Sequence, residues 1–159
     1  MKRLLEFAAI IALAAVATGT AMAQSNPLVG TWKLNVEKSK YSPGPAPKSL
    51  TRTVVANGDG VKYTFEGTAA DGTALAYSFS VNFDGKDNPV TGAMPGGVDS
   101  ISAKRINANT YEATTKKGGK VIASSKVTVS ADGKTTTVDA KGTNAKGEAT
   151  HDVSVYDKQ

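Results

Sequence analysis

Beyond residue 23 the chain alternates apolar and polar positions in short runs that glycine-rich turns separate. The turns contain Asn-Gly, Asp-Gly or Gly-Gly pairs, which favour tight hairpins because Gly and Asn accept the positive φ of such turns. The pattern predicts about nine strands, at 29–36, 50–56, 61–68, 73–83, 98–106, 110–117, 120–130, 134–141 and 147–156. No stretch after residue 23 has a helical period, so an all-β domain is predicted over residues 24–159.

A meander of this many antiparallel strands usually closes, because closure removes the exposed edge strands. We therefore predict a single antiparallel up-and-down β-barrel of about eight to ten strands.

The apolar rows that would face inward differ in size along the chain. Large rings come first, at Tyr63 and Phe65 and then in the row Leu75, Tyr77, Phe79, Val81 and Phe83. Later rows are mostly small: Tyr111, Ala113 and Thr115; Val121, Ala123, Ser125, Val127 and Val129; and Thr136, Val138 and Ala140. Small rows packed against the rings would fill the interior, whereas rings lining one wall would leave a cavity for a small ligand. Both outcomes stay open.

The first residues have the features of a Sec-type signal peptide. Lys2 and Arg3 precede an apolar run from Leu4 to Val16, and Ala21-Met22-Ala23 provides an A-x-A cleavage site. We predict a signal peptide over residues 1–23, cleavage after Ala23 and a periplasmic or secreted product. The chain has no cysteine, so disulfides add nothing to its stability.

The net charge points to no charged partner. The 19 basic and 14 acidic residues fall to 17 and 13 when Lys2, Arg3 and Glu6 leave with the signal peptide. Scattered lysines favour solubility, with weak attraction to anionic lipid headgroups as the alternative. A nucleic-acid partner is not expected, because no basic stripe is interleaved with exposed aromatics. No apolar run after the signal peptide is long enough to span a membrane.

Gly30-Thr31-Trp32, preceded by Asn26-Pro27-Leu28-Val29, resembles the first strand of the calycins, the lipocalins and intracellular fatty-acid-binding proteins. The resemblance implies that Gly30 permits a close approach at the end of the barrel and that Trp32 plugs its closed bottom. The segment from Ser42 to Thr53, SPGPAPKSLTRT, is similar to one in uncharacterised exported bacterial proteins of lipocalin-like type.

The C-terminal run is similar to the last strand of the fatty-acid-binding proteins, in which an Arg and a Tyr two residues apart hold the ligand carboxylate. Tyr156 matches that tyrosine, but Ser154 stands in the place of the arginine. A buried carboxylate needs a charge-assisted donor, so fatty-acid binding of that type is not expected. The prolines between Tyr41 and Pro47 predict an extended strap where these relatives have a helical lid.

Two polar side chains allow two orientations each. His151 is in phase with Val153 and Val155 on an apolar face, yet an inward Tyr156 would turn it outward unless a bulge intervenes. Arg105 is in phase with Ile101 and Ala103, which would direct it inward to anchor a negative group or to stack over Trp32. Alternatively the strand end twists Arg105 into solvent and places Ile106 inside.

The loop from Asp84 to Gly97 is longer than a hairpin needs, so it is either a lid or partner surface or simply mobile. Its first residues, Asp84-Gly85-Lys86-Asp87-Asn88, lack the order of a calcium loop and predict a solvated turn. No catalytic constellation, metal site or cofactor motif is recognisable, so neither an enzyme nor a cofactor is predicted.

The sequence favours a binding protein that takes up a small apolar molecule. The candidate ligand-binding residues are Trp32, Tyr63, Phe65, Tyr77, Phe79, Arg105, Tyr111 and Tyr156. The alternative is a structural or interaction domain of the cell envelope, with a filled core and no ligand.

Overall fold

A computed structural model describes residues 26–159. The strands of this range are β1 (Gly30–Leu34), β2 (Ser49–Asn57), β3 (Gly60–Thr68), β4 (Ala74–Val81), β5 (Asn88–Gly92), β6 (Ser100–Arg105), β7 (Thr110–Lys117), β8 (Lys120–Val129), β9 (Thr135–Thr143) and β10 (Ala149–Lys158). The one helical segment among them is a three-residue 3-10 turn at Pro95–Gly97, so no helix within residues 26–159 could cross a bilayer. The predicted signal peptide, 1–23, lies outside the described residues.

The ten strands form a closed antiparallel barrel in which each strand pairs with the next along the chain. Closure occurs between β1 and β10, from Trp32↔Lys158 to Leu34↔Tyr156. A closed barrel has no unpaired sheet edge. For this reason a meander of many strands predicts a closed barrel. The predicted all-β, up-and-down barrel is confirmed.

One strand that the sequence pattern does not predict, β5, lies inside the segment predicted as a long loop. Asn88, Pro89 and Gly92 are turn-forming residues, so the sequence has no strand pattern here. The short strand nevertheless pairs with β4 at Phe79↔Val90 and with β6 at Asn88↔Ile101. Proline is tolerated in such a strand when its missing N–H is not needed for the ladder. The loop prediction is therefore wrong for residues 88–92.

Side-chain alternation in β3 and β4 has the predicted phase, with Val61, Tyr63, Phe65, Leu75, Tyr77, Phe79 and Val81 all buried. The register Tyr63↔Phe79 and Phe65↔Tyr77 places the rings of the two strands side by side. These two strands consequently form a continuous aromatic wall inside the barrel.

The predicted inward row of β8 is wrong at its first member, Val121, which is 57% exposed. The register between β7 and β8 shifts at this point, because Thr115 pairs with Ala123 whereas Lys116 pairs with Val121. The extra residue is Ile122, which lines the interior in place of Val121. A bulge reverses the alternation of the residues before it, and its position is not visible in the apolar pattern.

Strand β10 resolves the two orientations of His151. It pairs with β9 without interruption from Ala149↔Thr143 to Asp157↔Thr135, so no bulge separates His151 from Tyr156. Tyr156 is buried, whereas His151 is exposed with its Nε2 2.9 Å from Oδ1 of Asp139. The outward orientation of His151 is the correct one.

Trp32 closes one end of the barrel. It is fully buried, and its Nε1 donates a hydrogen bond of 2.8 Å to the carbonyl oxygen of Leu28. The Nζ atom of Lys158 lies 5.1 Å from the centre of its ring. Gly30 has φ of 139°, and a Cβ there would lie 2.7 Å from Cε of Lys158, so a side chain would have to displace that lysine.

The segment between β1 and β2 crosses the opposite end and contains no helix, as the prolines predict. We call residues 35–48 the strap. The strap is bound to β10, because Lys40 forms a bridge with Val153. The hydroxyl groups of Tyr41 and Ser154 lie 2.7 Å apart in a hydrogen bond.

Candidate functional site

The barrel interior contains a cavity of about 370 Å³. Its large side chains include six predicted ligand-binding residues: Tyr63, Phe65, Tyr77, Phe79, Tyr111 and Tyr156. Ala113, Ser125 and Ala140 are among the small residues that line the strands β7 to β9. Of the two outcomes that the unequal rows allow, the structure has the hollow one.

The rings of β3 and β4 are packed against each other. Phe65 and Tyr77 stack with centres 4.6 Å apart and planes 15° apart, and Tyr63 and Phe79 lie 4.9 Å apart. Stacked rings of this spacing stabilise one another by about 0.5–1.5 kcal/mol beyond their burial. The aromatic wall is thus preformed.

A second, more open pocket of about 790 Å³ lies at the strap end. We call it the mouth. It is lined by the strap, by the turn after β3 and by the end of the loop that contains β5. Tyr77, Met94, Pro95, Ala140, Asp152 and Tyr156 line both the mouth and the cavity. These six residues therefore form the boundary between the interior and the outside.

A charged residue that sequence reasoning missed, Arg52 on β2, lines the cavity. Arg52 is only 2% exposed, and its Cζ lies 4.4 Å from the ring centre of Tyr156, 5.5 Å from that of Trp32 and 5.9 Å from that of Tyr63. The guanidinium therefore lies among aromatic rings, which attract a cation through their π faces.

The polar atoms of Arg52 are not paired with an anion of the barrel. Its Nε and Nη2 are buried and have no hydrogen-bond partner within residues 26–159. No ion pair in this range involves Arg52. The carboxylate that lines the cavity belongs to Asp152, and its Oδ1 accepts a bond of 3.1 Å from the backbone N–H of Ser42 in the strap.

Burial determines the protonation of the groups around Arg52. Desolvation lowers the pKa of Arg52, although an arginine stays protonated at any physiological pH. Desolvation raises the pKa of Tyr63 and of Tyr156 to about 12 each, with the Arg52 charge opposing the rise. The pKa of Tyr77 is also raised, mainly by burial. At neutral pH the site thus contains one cation among neutral phenols.

The alternation of β2 contains a signal that identifies Arg52. Leu50 and Val54 are buried, and Arg52 lies between them in the same phase. An arginine between two inward apolar residues is directed inward by the pleat itself. Leu50 and Val54 indicate in the sequence which residues of β2 face inward. The inward direction of the Arg52 side chain follows from their phase.

Two predicted ligand-binding residues are not at the cavity. Trp32 lies behind Arg52 at the closed end and is not among the residues that line the interior. Arg105 is exposed, and its Nε and Nη2 donate bonds of 3.1 Å to the carbonyl oxygens of Asn107 and Ala108. The inward orientation of Arg105 is wrong, because the guanidinium is held by its own turn. Ile106 is 53% exposed, so it does not take the inward place either.

The described residues contain no group of three or more His, Asp or Glu side chains that could hold a metal ion. Asp84 instead accepts a bond of 3.0 Å from the backbone N–H of Lys86 in an exposed turn. The charged side chains that line the cavity are those of Arg52 and Asp152.

No protein-family model matches the chain, and no curated protein sequence matches it significantly. Solved structures do match. Rv2717c from M. tuberculosis superposes with a TM-score of 0.53 at 14% identity, over 84% of this chain and 93% of that one. The zebrafish ileal bile acid-binding protein complexed with cholic acid gives a TM-score of 0.49 at 14% identity, over 84% of this chain and 99% of that one. The redesigned β-barrel mFAP1 bound to DFHBI gives 0.46 at 13% identity, over 83% and 95%.

At these identities the likeness concerns the fold. The chain is a closed ten-stranded antiparallel up-and-down barrel, and Rv2717c shares this fold.

Proposed function

We propose that the protein is an exported lipocalin-like barrel, related to the exported bacterial proteins that its strap resembles, and that it binds a small, largely apolar molecule in its interior. The observation that carries the proposal is the hollow interior with its aromatic wall.

The volume and lining of the cavity support this function. A volume of about 370 Å³ is within the range of small-molecule sites, roughly 300–1,000 Å³. An apolar ligand that replaces water against the rings gains about 25 cal/mol for each Å² of apolar surface removed from water. The stacked rings need no rearrangement to receive it, which lowers the cost of binding.

The alternative function, a structural domain with a filled core, requires an interior that this barrel does not have. Binding also explains the polar residues of the interior better than catalysis does. The cavity brings Arg52 and several phenols together, and it contains no nucleophile paired with a base.

One experiment on protein purified from its own host tests both export and binding. Native mass spectrometry should detect a chain that begins at Gln24 and retains a small molecule. The Ala113→Leu variant places a larger side chain in the cavity, so we expect it to lose most of the retained molecule.

The matched control is Ala76→Leu, because Ala76 is exposed on the outer face of β4. It makes the same substitution on the opposite face and should keep the ligand. Equal retention by both variants, or a ligand-free wild-type protein that no apolar probe stabilises, would contradict binding in the interior. A full-length chain in the cell pellet would contradict export.

A further inference from the structure

We infer that the ligand carries a cationic amine head group and that Asp152 binds this group at the boundary between the cavity and the mouth. The apolar remainder of the ligand lies against the aromatic wall. The inference rests on the proposed function, since it names the chemical class of the molecule that the cavity holds.

Asp152 lies on the inward face of β10, where the two pockets meet. It is in phase with Thr150 and Tyr156, which line the cavity, and its own side chain lines both the cavity and the mouth. The residue opposite it on β9 is Ala140, a small residue that also lines both pockets. Among the six boundary residues, Asp152 is the one with a charged side chain. A molecule that extends from the interior into the mouth therefore passes beside this carboxylate.

The carboxylate of Asp152 has an oxygen available to a ligand. Its Oδ1 accepts the backbone N–H of Ser42, whereas its Oδ2 has no hydrogen-bond partner within residues 26–159. None of the ion pairs in this range includes Asp152. Burial raises the pKa of Tyr41 and the charge of Asp152 raises it further, yet the Tyr41 hydroxyl is bonded to Ser154 and not to this carboxylate. Asp152 thus has no counter-charge in the described part of the chain.

The lining of the mouth favours a positive charge. Its charged side chains are those of Asp71 and Asp152, and no lysine or arginine of residues 26–159 lines it. Three tyrosines, Tyr41, Tyr77 and Tyr156, line it as well, and the faces of aromatic rings attract cations. An ammonium group donates charge-assisted hydrogen bonds to a carboxylate, which are about twice as strong as bonds between neutral groups. A carboxylate among aromatic rings is therefore suited to an amine.

The buried arginine disfavours a deeper position for the amine. Arg52 lines the cavity from the closed end, where it lies beside Trp32. Its charge repels a second cation, so an ammonium is more stable near Asp152 than near the closed end. The Nε and Nη2 atoms of Arg52 each have less than 1 Å² of accessible surface, so they are not offered to a ligand. The ligand is consequently oriented with its amine at the mouth and its apolar chain inside.

The volume of the cavity sets the size of the probes that test this orientation. If each non-hydrogen atom needs about the 30 Å³ of a liquid water molecule, the cavity holds roughly a dozen such atoms. Decylamine, decanol and decanoate all have about this size. Decylamine is protonated at pH 7, as the lysine side chain is. The three molecules are therefore matched probes that differ in the charge of the head group.

The test is calorimetric titration of ligand-free protein at pH 7 with each of the three probes. Wild-type protein should bind decylamine about tenfold or more tightly than decanol, because hydrogen bonds between charged groups stabilise a complex more than neutral ones do. Decanoate should bind more weakly than decanol, because the carboxylates that line the mouth repel it.

The variant that isolates the carboxylate is Asp152→Asn. It should lose the preference for decylamine and keep decanol binding, which also shows that the variant is folded. The asparagine oxygen can still accept the N–H of Ser42, so the strap stays bonded to β10. The matched control is Glu112→Gln, which removes the same charge from the exposed face of β7 and should bind all three probes as wild type does.

The two proposals fail differently. If wild-type protein binds decylamine no more tightly than decanol, or if Asp152→Asn keeps the preference, the amine inference is wrong and interior binding stands. Loss of the preference in Glu112→Gln as well would also overturn the inference, because the net charge of the protein would then explain it. If wild-type protein binds none of the three probes, interior binding of apolar molecules is contradicted and the inference falls with it.

Discussion

At the scale of single residues, the buried charge of Arg52 is expected to lower the stability of the barrel. Three rings surround the guanidinium, but only that of Tyr156 is closer than 5 Å to Cζ. A cation–π contact contributes about 0.5–2 kcal/mol, whereas burying a charge costs several kcal/mol. The second effect should be larger in the ligand-free protein.

Replacing Arg52 with methionine should therefore stabilise the ligand-free barrel. We expect Arg52→Met to raise the free energy of unfolding by about 1–2 kcal/mol, because methionine fills similar space without a charge to desolvate. Urea titration monitored by Trp32 fluorescence measures the change.

The matched control is Arg105→Met, which removes an exposed arginine that is bonded to the carbonyl oxygens of its own turn. We expect this variant to be unchanged or slightly less stable. A lower stability of Arg52→Met would show that the ring contacts outweigh desolvation, and that Arg52 is chiefly a structural residue.

Sequence reasoning identifies the aromatic residues that line the cavity and misses its buried arginine, for a physical reason. Tyr63, Phe65, Tyr77 and Phe79 follow an alternation that burial itself produces, so their inward direction is predictable. An arginine is normally exposed, and only its position between Leu50 and Val54 indicates otherwise. Arg105 has the same alternation at a strand end, where a turn captures the side chain, so phase alone does not determine orientation there.

At the scale of elements, β5 is the weakest part of the barrel wall. It pairs with β4 only from Tyr77↔Gly92 to Phe79↔Val90, and with β6 only at Asn88↔Ile101 and Pro89↔Ser100. By contrast, β2 and β3 pair continuously from Ser49↔Thr68 to Asn57↔Gly60. Local opening of a sheet requires less free energy where fewer ladder bonds hold it.

We expect the backbone amides of Asn88 and of residues 90–92 to exchange with deuterium at least tenfold faster than the paired amides of residues 49–57. Hydrogen exchange followed by mass spectrometry measures both segments in one sample, and β2 serves as the internal control. Equal protection of the two segments would mean that β5 is held as firmly as the long strands.

The long hairpins are predictable from sequence because a glycine-rich turn and an alternating pattern occur together at each of them. The irregular elements are not. The sequence of β5 consists largely of turn-forming residues, and only its neighbours on both sides make it a strand. The bulge that directs Ile122 inward depends on the register between β7 and β8, which no local pattern specifies.

At the scale of the whole molecule, the closed barrel couples the ionisation of its tyrosines to folding. Tyrosine in an unfolded chain has a pKa near 10, whereas burial raises the pKa of Tyr63 and of Tyr156 to about 12. Between these values the unfolded chain has released protons that the folded barrel retains. The free energy of unfolding therefore decreases as pH rises from about 10 to 12, by about 1.4 kcal/mol per pH unit for each tyrosine.

We expect the barrel to unfold cooperatively in this alkaline range, with tyrosinate absorbance rising together with the loss of circular dichroism. Tyr63→Phe should remove about 1.4 kcal/mol per pH unit from this dependence between pH 10 and 12, because one of the tyrosines with a raised pKa is gone. Absorbance that rises near pH 10 in a barrel that is still folded would contradict the buried state of these phenols.

The position of the two chain ends on the barrel has a practical consequence for experiments. Leu28 accepts the bond from Trp32 at the closed end, and the backbone N–H of Gln159 donates to the carbonyl oxygen of Thr31 beside it. Both ends of the described chain therefore emerge opposite the mouth. Protein immobilised on a sensor surface through a linker at Gln159 would present the strap to the flowing solution, so attachment at this point leaves the mouth unobstructed.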